Sequence, residues 1–109
     1  MPDLDFSSIL GTLKDEVISL AMSTFKDFKN EAQADALKLV EDMKEKLERW
    51  TILLAEGKLT PDDFKFLVLA QKELLEMNAL RLLGISKIRL DEFKSKLLKL
   101  VIDTVLGLI

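Results

Sequence analysis

The chain has 109 residues, of which 49% are hydrophobic and 32% are charged, and its formal net charge at pH 7 is −3. This composition is typical of one globular domain and excludes an intrinsically disordered chain. It also disfavours nucleic acid as a partner, because nucleic-acid-binding domains usually carry a basic surface. Cys is absent from the sequence, which excludes a disulfide framework and a thiolate nucleophile.

Neither a secretory signal nor a membrane-spanning segment is predicted. Asp3 and Asp5 lie where a signal peptide would carry basic residues. The longest charge-free run, residues 17–25, has nine residues, whereas a membrane-spanning helix needs roughly 18. We therefore expect a cytoplasmic protein.

The apolar positions of the N-terminal half follow helical spacing, but in two stretches that differ in phase. At about 100° per residue, the apolar stripe beyond residue 31 is rotated by roughly a quarter turn from the stripe before it. A straight helix does not rotate its stripe so sharply, and Asn30 with Gln33 resembles a capping box at a helix start. The sequence therefore predicts two helices, over about 5–29 and 31–56.

One observation leaves an alternative open for this half of the chain. Residues 12–56 contain neither Gly nor Pro, the two residues that most often interrupt a helix. One long helix over 12–56, followed by two shorter helices in a dimeric bundle, would satisfy the same sequence.

The stretch EGKLTPDD contains the capping residues of a helix break. Gly57 can end a helix, Thr60 is a suitable N-cap, and Pro61 suits the first helical position. These residues predict a third helix that begins at Pro61 and extends to about residue 83.

A second break is predicted in the stretch LLGIS. Gly84 suits the left-handed conformation that ends many helices, and Ser86 suits an N-cap. The fourth helix is therefore expected over about residues 87–107.

Four predicted helices of nearly equal length within one domain, residues 1–109, indicate an all-α, up-and-down four-helix bundle. Apolar side chains with helical spacing should fill its core. They are Phe25, Leu39, Met43, Leu47, Trp50, Leu67, Leu74, Phe93, Leu97 and Val101.

Two amide side chains, Gln71 and Asn78, fall on the otherwise apolar face of the predicted 61–83 helix. They are seven residues apart, so they almost superpose in projection. Buried amides cost stability unless they are hydrogen-bonded. Gln71 and Asn78 are therefore candidates either to set the register of a helix interface or to bond water in a partly exposed groove.

The last predicted helix is too apolar for a helix that faces one core only. Its apolar residues cover an arc of roughly 240°, against the ~100° that a surface helix needs. Such a helix must be central in the bundle, contact another chain or rest on an apolar surface. We predict self-association, with a dimer favoured. The predicted interface consists of Leu97, Leu98, Val101, Ile102, Val105, Leu106 and Ile109.

The residue types that carry most catalytic chemistry are missing. His and Tyr are absent as well as Cys, which excludes Ser-His and Cys-His machinery, the usual zinc sites and the Glu-x-x-His motif of di-iron bundles. The carboxylate clusters each have a structural explanation, as groups at helix starts or in one-turn ion pairs. We therefore predict that the protein is not an enzyme and has no catalytic residue, cofactor or metal site.

A structural or protein-interaction module is accordingly the predicted function, and its partner is a second copy of the chain or another protein. A lipid or membrane-surface binding protein is the alternative. Residues 86–99 are net basic and an apolar run follows them directly, which is a pattern of helices that lie in a membrane interface.

A third interpretation comes from the segment ALRLLGISKIRLDEFKSKL, residues 79–97, in which Gly84 lies at a turn between two helical stretches. The segment resembles the turn region of helix-turn-helix DNA-binding domains. The resemblance implies that Lys87, Arg89 and Lys94 would lie near the DNA.

Overall fold

Five α-helices account for most of the chain, and the structure, a computed structural model that describes residues 5–109, contains no β-strand in that range. The predicted all-α class is therefore confirmed, while residues 1–4 of the predicted domain lie outside the described part. The helices are α1 (Phe6–Thr24), α2 (Lys29–Ala55), α3 (Pro61–Leu69), α4 (Asn78–Leu82) and α5 (Lys87–Leu108), with a 3-10 turn at Lys72–Leu74.

The chain runs up and down a bundle that measures 47 × 23 × 18 Å along its principal axes. α1 and α2 are antiparallel neighbours, and Lys14 on α1 forms an ion pair with Glu41 on α2 at 2.9 Å. Residues 61–82, which we term the third leg, return along α2, and α5 then packs against α1, α3 and α4. Because α5 is antiparallel to α1, the ring of Phe25 after α1 meets Phe93 near the start of α5. The predicted up-and-down bundle is thus confirmed.

A turn at residues 25–28 separates α1 from α2, so the alternative of one long helix over 12–56 is wrong. Phe25 is buried in this turn, which allows two apolar stripes of different phase to face the same core. α2 begins at Lys29, before the predicted capping box at Asn30, and that prediction is wrong.

The two breaks in the second half of the chain follow the capping residues of the sequence. Gly57 has a φ of +73° and Gly84 a φ of +85°, both in the left-handed region that favours glycine. The Thr60 hydroxyl accepts a hydrogen bond from the backbone N–H of Asp63 at 3.0 Å. The Ser86 hydroxyl accepts in the same way from a backbone N–H in the first turn of α5.

The third leg is not the single helix over 61–83 that the sequence predicts. α3 ends at Leu69, and the backbone is extended at Leu75, with φ −98° and ψ 136°. Leu75 and Met77 are both buried. A helix would place residues two positions apart on different faces, whereas an extended backbone places them on the same face. The break therefore allows both side chains to enter the core.

The start of α4 is capped from outside, by Asp35 on α2. The Asp35 carboxylate accepts hydrogen bonds from the backbone N–H of Ala79 at 3.1 Å and of Leu80 at 2.8 Å. Asp35 is only 3% exposed, and the N-cap residue of α4, Met77, has no side-chain oxygen of its own. The carboxylate thus satisfies two N–H groups that a helix leaves free at its start, and it places negative charge at the positive end of the helix.

Two lysine side chains hold the segment between α3 and α4. Lys94 on α5 donates hydrogen bonds to the backbone carbonyls of Lys72, at 3.0 Å, and of Leu75. Lys46 on α2 donates to Oε1 of Gln71 at 2.7 Å. Carbonyls that a continuous helix would pair internally are therefore paired with a side chain of α5.

Most of the predicted core residues are buried. The exceptions are Trp50 and Leu67, which are half-buried, and Leu74, which is exposed. The prediction for Leu74 is wrong because it assumed a continuous helix, and the 3-10 turn directs this side chain to solvent instead. The predicted core residues that are buried are Phe25, Leu39, Met43, Leu47, Phe93, Leu97 and Val101.

Asp35→Asn should lower the free energy of unfolding by about 2 kcal/mol, because the amide leaves one of the two buried N–H groups without an acceptor. Asp42→Asn, on the exposed face of the same helix, should change it by less than ~0.5 kcal/mol. Urea unfolding followed by circular dichroism measures both values. Amide hydrogen exchange at Ala79 and Leu80 should accelerate in Asp35→Asn alone. Equal and small effects in the two variants would contradict the capping of α4 by Asp35.

Two alanine substitutions should change stability in opposite directions. Gly84→Ala should destabilise the fold by about 1 kcal/mol, because φ is positive at this position. Gly11→Ala, inside α1, should stabilise the fold by about 0.5–1 kcal/mol through helix propensity. A Cβ at either position meets no atom within 4 Å, so the comparison isolates the backbone effect in thermal unfolding. A stabilising Gly84→Ala would show that the turn does not require the left-handed conformation.

Candidate functional site

The residues predicted to form a dimer interface on α5 lie mostly inside the single chain. Leu106 is partly buried against the core, and Ile109 is exposed. The apolar arc of α5 is covered by α1, α3, α4 and the 3-10 turn. α5 is therefore the central helix of the bundle, and the width of its apolar surface requires no second chain. The buried members of the predicted interface are Leu97, Leu98, Val101, Ile102 and Val105.

The two amides predicted to set a register lie in different elements, because Gln71 follows α3 and Asn78 begins α4. Gln71 accepts a hydrogen bond from Lys46, which links the third leg to α2. Oδ1 of Asn78 accepts a hydrogen bond from Nη2 of Arg81 at 3.1 Å, within α4. Gln71 therefore joins two elements, while the contact of Asn78 is local.

The three cations implied by the helix-turn-helix resemblance have different surroundings. Lys94 is half-buried and donates to the two carbonyls of the third leg. The guanidinium carbon of Arg89 lies 4.5 Å from the ring centroid of Phe25, a cation–π contact. Lys87 is exposed at the start of α5. Structural contacts thus engage Lys94 and Arg89, although Arg89, like Lys87, is exposed.

The carboxylates are dispersed over the bundle. Within residues 5–109, no group of three or more acidic side chains lies close enough to hold a metal ion. A hydrogen bond from the Ser8 side chain lowers the pKa of Asp5, which is the N-cap of α1. A hydrogen bond from Lys14 lowers the pKa of Glu41. Both shifts come from contacts that hold helices in place.

Exposed apolar side chains concentrate on the third leg and at the start of α5. We term four of them the strip: Phe66, Leu69, Leu74 and Ile88. Phe66 is 73% exposed, Leu74 is 69% exposed and Ile88 is 74% exposed. Ile88 borders a groove of about 400 Å³ between α5 and the 3-10 turn. The other residues of the groove are Lys72, Asp91, Glu92, Ser95 and Lys96.

The turn between α4 and α5 forms a second exposed surface, residues 81–87, which we term the corner. Leu82 is 82% exposed and Leu83 is 44% exposed. The charged residues of the corner, Arg81 and Lys87, are both basic. These two residues also border a cleft of about 320 Å³ between the third leg and α5.

The sequence indicates that the Asp35 carboxylate needs hydrogen-bond donors, but it does not indicate which groups supply them. It lies three residues after Ala32 and four before Leu39, on the face of α2 that is buried. A carboxylate on a buried helical face needs hydrogen-bond donors. Those donors, Ala79 and Leu80, are 44 and 45 residues away, so no local pattern could identify them.

In the part of the chain that the structure describes, residues 5–109, none of the helices combines the length and the apolar character needed to cross a bilayer. No protein-family model, curated protein or solved structure matches the chain.

Val101→Asp should unfold the chain, because an unpaired carboxylate in the centre of the core costs several kcal/mol and small domains have only about 5–15 kcal/mol of stability. Leu108→Asp is the matched control, since Leu108 is exposed on the same helix and this variant should keep the wild-type helix content. Circular dichroism and thermal melting distinguish the two. A Val101→Asp variant with the wild-type melting temperature would show that α5 is not central.

Proposed function

We propose that the protein is a non-enzymatic helical interaction module that self-associates, with a dimer as the simplest assembly. The surface assigned to this contact is the strip. The observation that carries the proposal is the exposure of large apolar side chains beside a core that is already complete within one chain. Large apolar side chains that a small domain leaves exposed, and that its core does not need, can form a contact with another molecule.

The strip has enough apolar surface to supply a driving force. Full burial of one Leu, Ile or Phe side chain contributes about 1.5–3 kcal/mol. The strip has four such side chains, and Phe66, Leu74 and Ile88 are the most exposed among them. Association also costs translational and rotational freedom, so we expect a dimer that dissociates on dilution.

The charges beside the strip suit contact between two copies of the same surface. The groove at Ile88 carries two cations, Lys72 and Lys96, and two carboxylates, Asp91 and Glu92. In a two-fold contact each copy meets the same residues on its partner, so a surface of one charge sign would repel itself. Equal numbers of both signs allow opposite charges to face each other.

This contact differs from the dimer interface on α5 that the sequence predicts, because most residues of that predicted interface are buried within one chain. The strip lies instead on the third leg and on the outward face of the first turn of α5. A cytoplasmic location belongs to the same proposal, since a chain without Cys needs no oxidising compartment.

Size-exclusion chromatography with light scattering tests the proposal. The wild-type molar mass should approach twice the 12.4 kDa of one chain as concentration rises over about a hundredfold range. The double variant Phe66→Ser/Ile88→Ser should remain at 12.4 kDa. The double variant Met22→Ser/Ile52→Ser removes exposed apolar side chains from α1 and α2 and should behave as the wild type.

A wild-type mass of one chain over the whole concentration range would refute self-association. A strip variant that associates as strongly as the wild type would refute the assignment of the surface. Circular dichroism of each variant verifies that the exposed substitutions leave the helix content unchanged.

A further inference from the structure

We infer that the corner docks onto the surface of an anionic lipid bilayer. This contact uses residues that are distinct from the strip, so it holds or fails independently of self-association. Three features of the structure carry the inference: two adjacent exposed leucines on a tight turn, a local excess of cations, and an area too small for a stable protein interface.

The apolar part of the corner stands at one end of the bundle. Leu82 and Leu83 follow each other directly and are 82% and 44% exposed. Gly84, with φ +85°, then reverses the chain into α5. Apolar side chains on such a turn can enter the boundary between lipid headgroups and acyl chains while the core of the bundle stays closed.

Cations outnumber carboxylates around the corner, although the whole chain has a net charge of −3. The cleft beside the corner has three cations, Arg81, Lys87 and Lys94, and two carboxylates, Glu76 and Asp91. Arg81, Lys87 and Arg89 lie in an 11-residue stretch, 80–90, that contains no Asp or Glu. Among residues 5–109, none of the three forms an ion pair with a carboxylate. Their charge is therefore available to an anionic surface.

The turn between α1 and α2 adds further cations at the same end of the bundle. Arg89 lies 4.5 Å from the ring centroid of Phe25, which brings this turn beside the corner. Lys26 and Lys29 are exposed there, together with one carboxylate, Asp27. The combined surface remains net positive. Each Lys or Arg held near an anionic membrane adds to the attraction, which acts within about a Debye length of the surface.

A bilayer fits the corner better than a protein partner does. A stable protein interface buries about 800 Å² on each partner, and a turn of seven residues with two exposed leucines offers much less. A membrane contact needs only shallow insertion of a few apolar side chains together with several cations.

Co-sedimentation with vesicles tests the inference in the full chain. The protein should bind vesicles of phosphatidylcholine mixed with phosphatidylserine, and it should bind pure phosphatidylcholine vesicles much more weakly. The double variant Arg81→Gln/Lys87→Gln should bind the anionic vesicles roughly 30-fold more weakly. Lys38→Gln/Lys44→Gln removes the same charge from the exposed face of α2 and should bind as the wild type.

A tryptophan probe reports whether the corner itself enters the lipid. In a Trp50→Phe background, Leu82→Trp should show blue-shifted emission and quenching by brominated lipid in anionic vesicles. The matched probe Leu108→Trp, at the exposed end of α5, should show neither change.

Four results would overturn the inference: no binding to anionic vesicles, equal binding to neutral vesicles, equal binding by the two charge variants, or equal quenching of the two probes. The strip variant Phe66→Ser/Ile88→Ser retains the corner leucines and both corner cations, so it should still bind as a monomer. Loss of vesicle binding in that monomeric variant would likewise refute docking through the corner.

Discussion

The Asp35 carboxylate bonds to two backbone N–H groups at the start of α4, at 3.1 and 2.8 Å, across the interface between α2 and the third leg. A buried carboxylate is costly unless its oxygens are hydrogen-bonded, and the first N–H groups of a helix lack partners within the helix. The two hydrogen bonds therefore offset both the cost of burying the carboxylate and the cost of leaving the two backbone N–H groups without an acceptor. A break in the third leg is the geometry that allows this, because an uninterrupted helix would have no free N–H groups at that level.

The same break determines what the third leg presents to the core and to solvent. With the leg divided, Leu75 and Met77 are both buried, whereas Leu74 is exposed. α5 completes the arrangement. Its Lys94 donates hydrogen bonds to backbone carbonyls of the segment between α3 and α4, and its apolar arc is covered by α1, α3, α4 and the 3-10 turn. The core is thus closed within one chain. The apolar side chains that remain outside it are available for contacts with other molecules.

The two exposed surfaces differ in charge, and this difference is the reason that we propose a different partner for each. The strip lies beside a groove with equal numbers of cations and carboxylates, which suits a second copy of the same surface. The corner has only cations, Arg81 and Lys87, beside Leu82 and Leu83, which suits an anionic lipid surface. The two proposed contacts use different residues, so each can form without the other.

Local signals in the sequence determined the all-α class, the turn between α1 and α2, and the breaks at Gly57 and Gly84, because caps and stripe phase depend on residues within one or two turns. The break within the third leg could not be predicted in this way. Residues 62–83 contain neither Gly nor Pro, and the group that caps α4 is Asp35, on another helix. The width of the apolar arc of α5 likewise predicted that this helix is buried, but it did not identify the segments that cover the helix. Most of the residues predicted for a dimer interface lie in the core of the single chain. Only the tertiary structure decided these points, because burial and long-range hydrogen bonds depend on which segments meet.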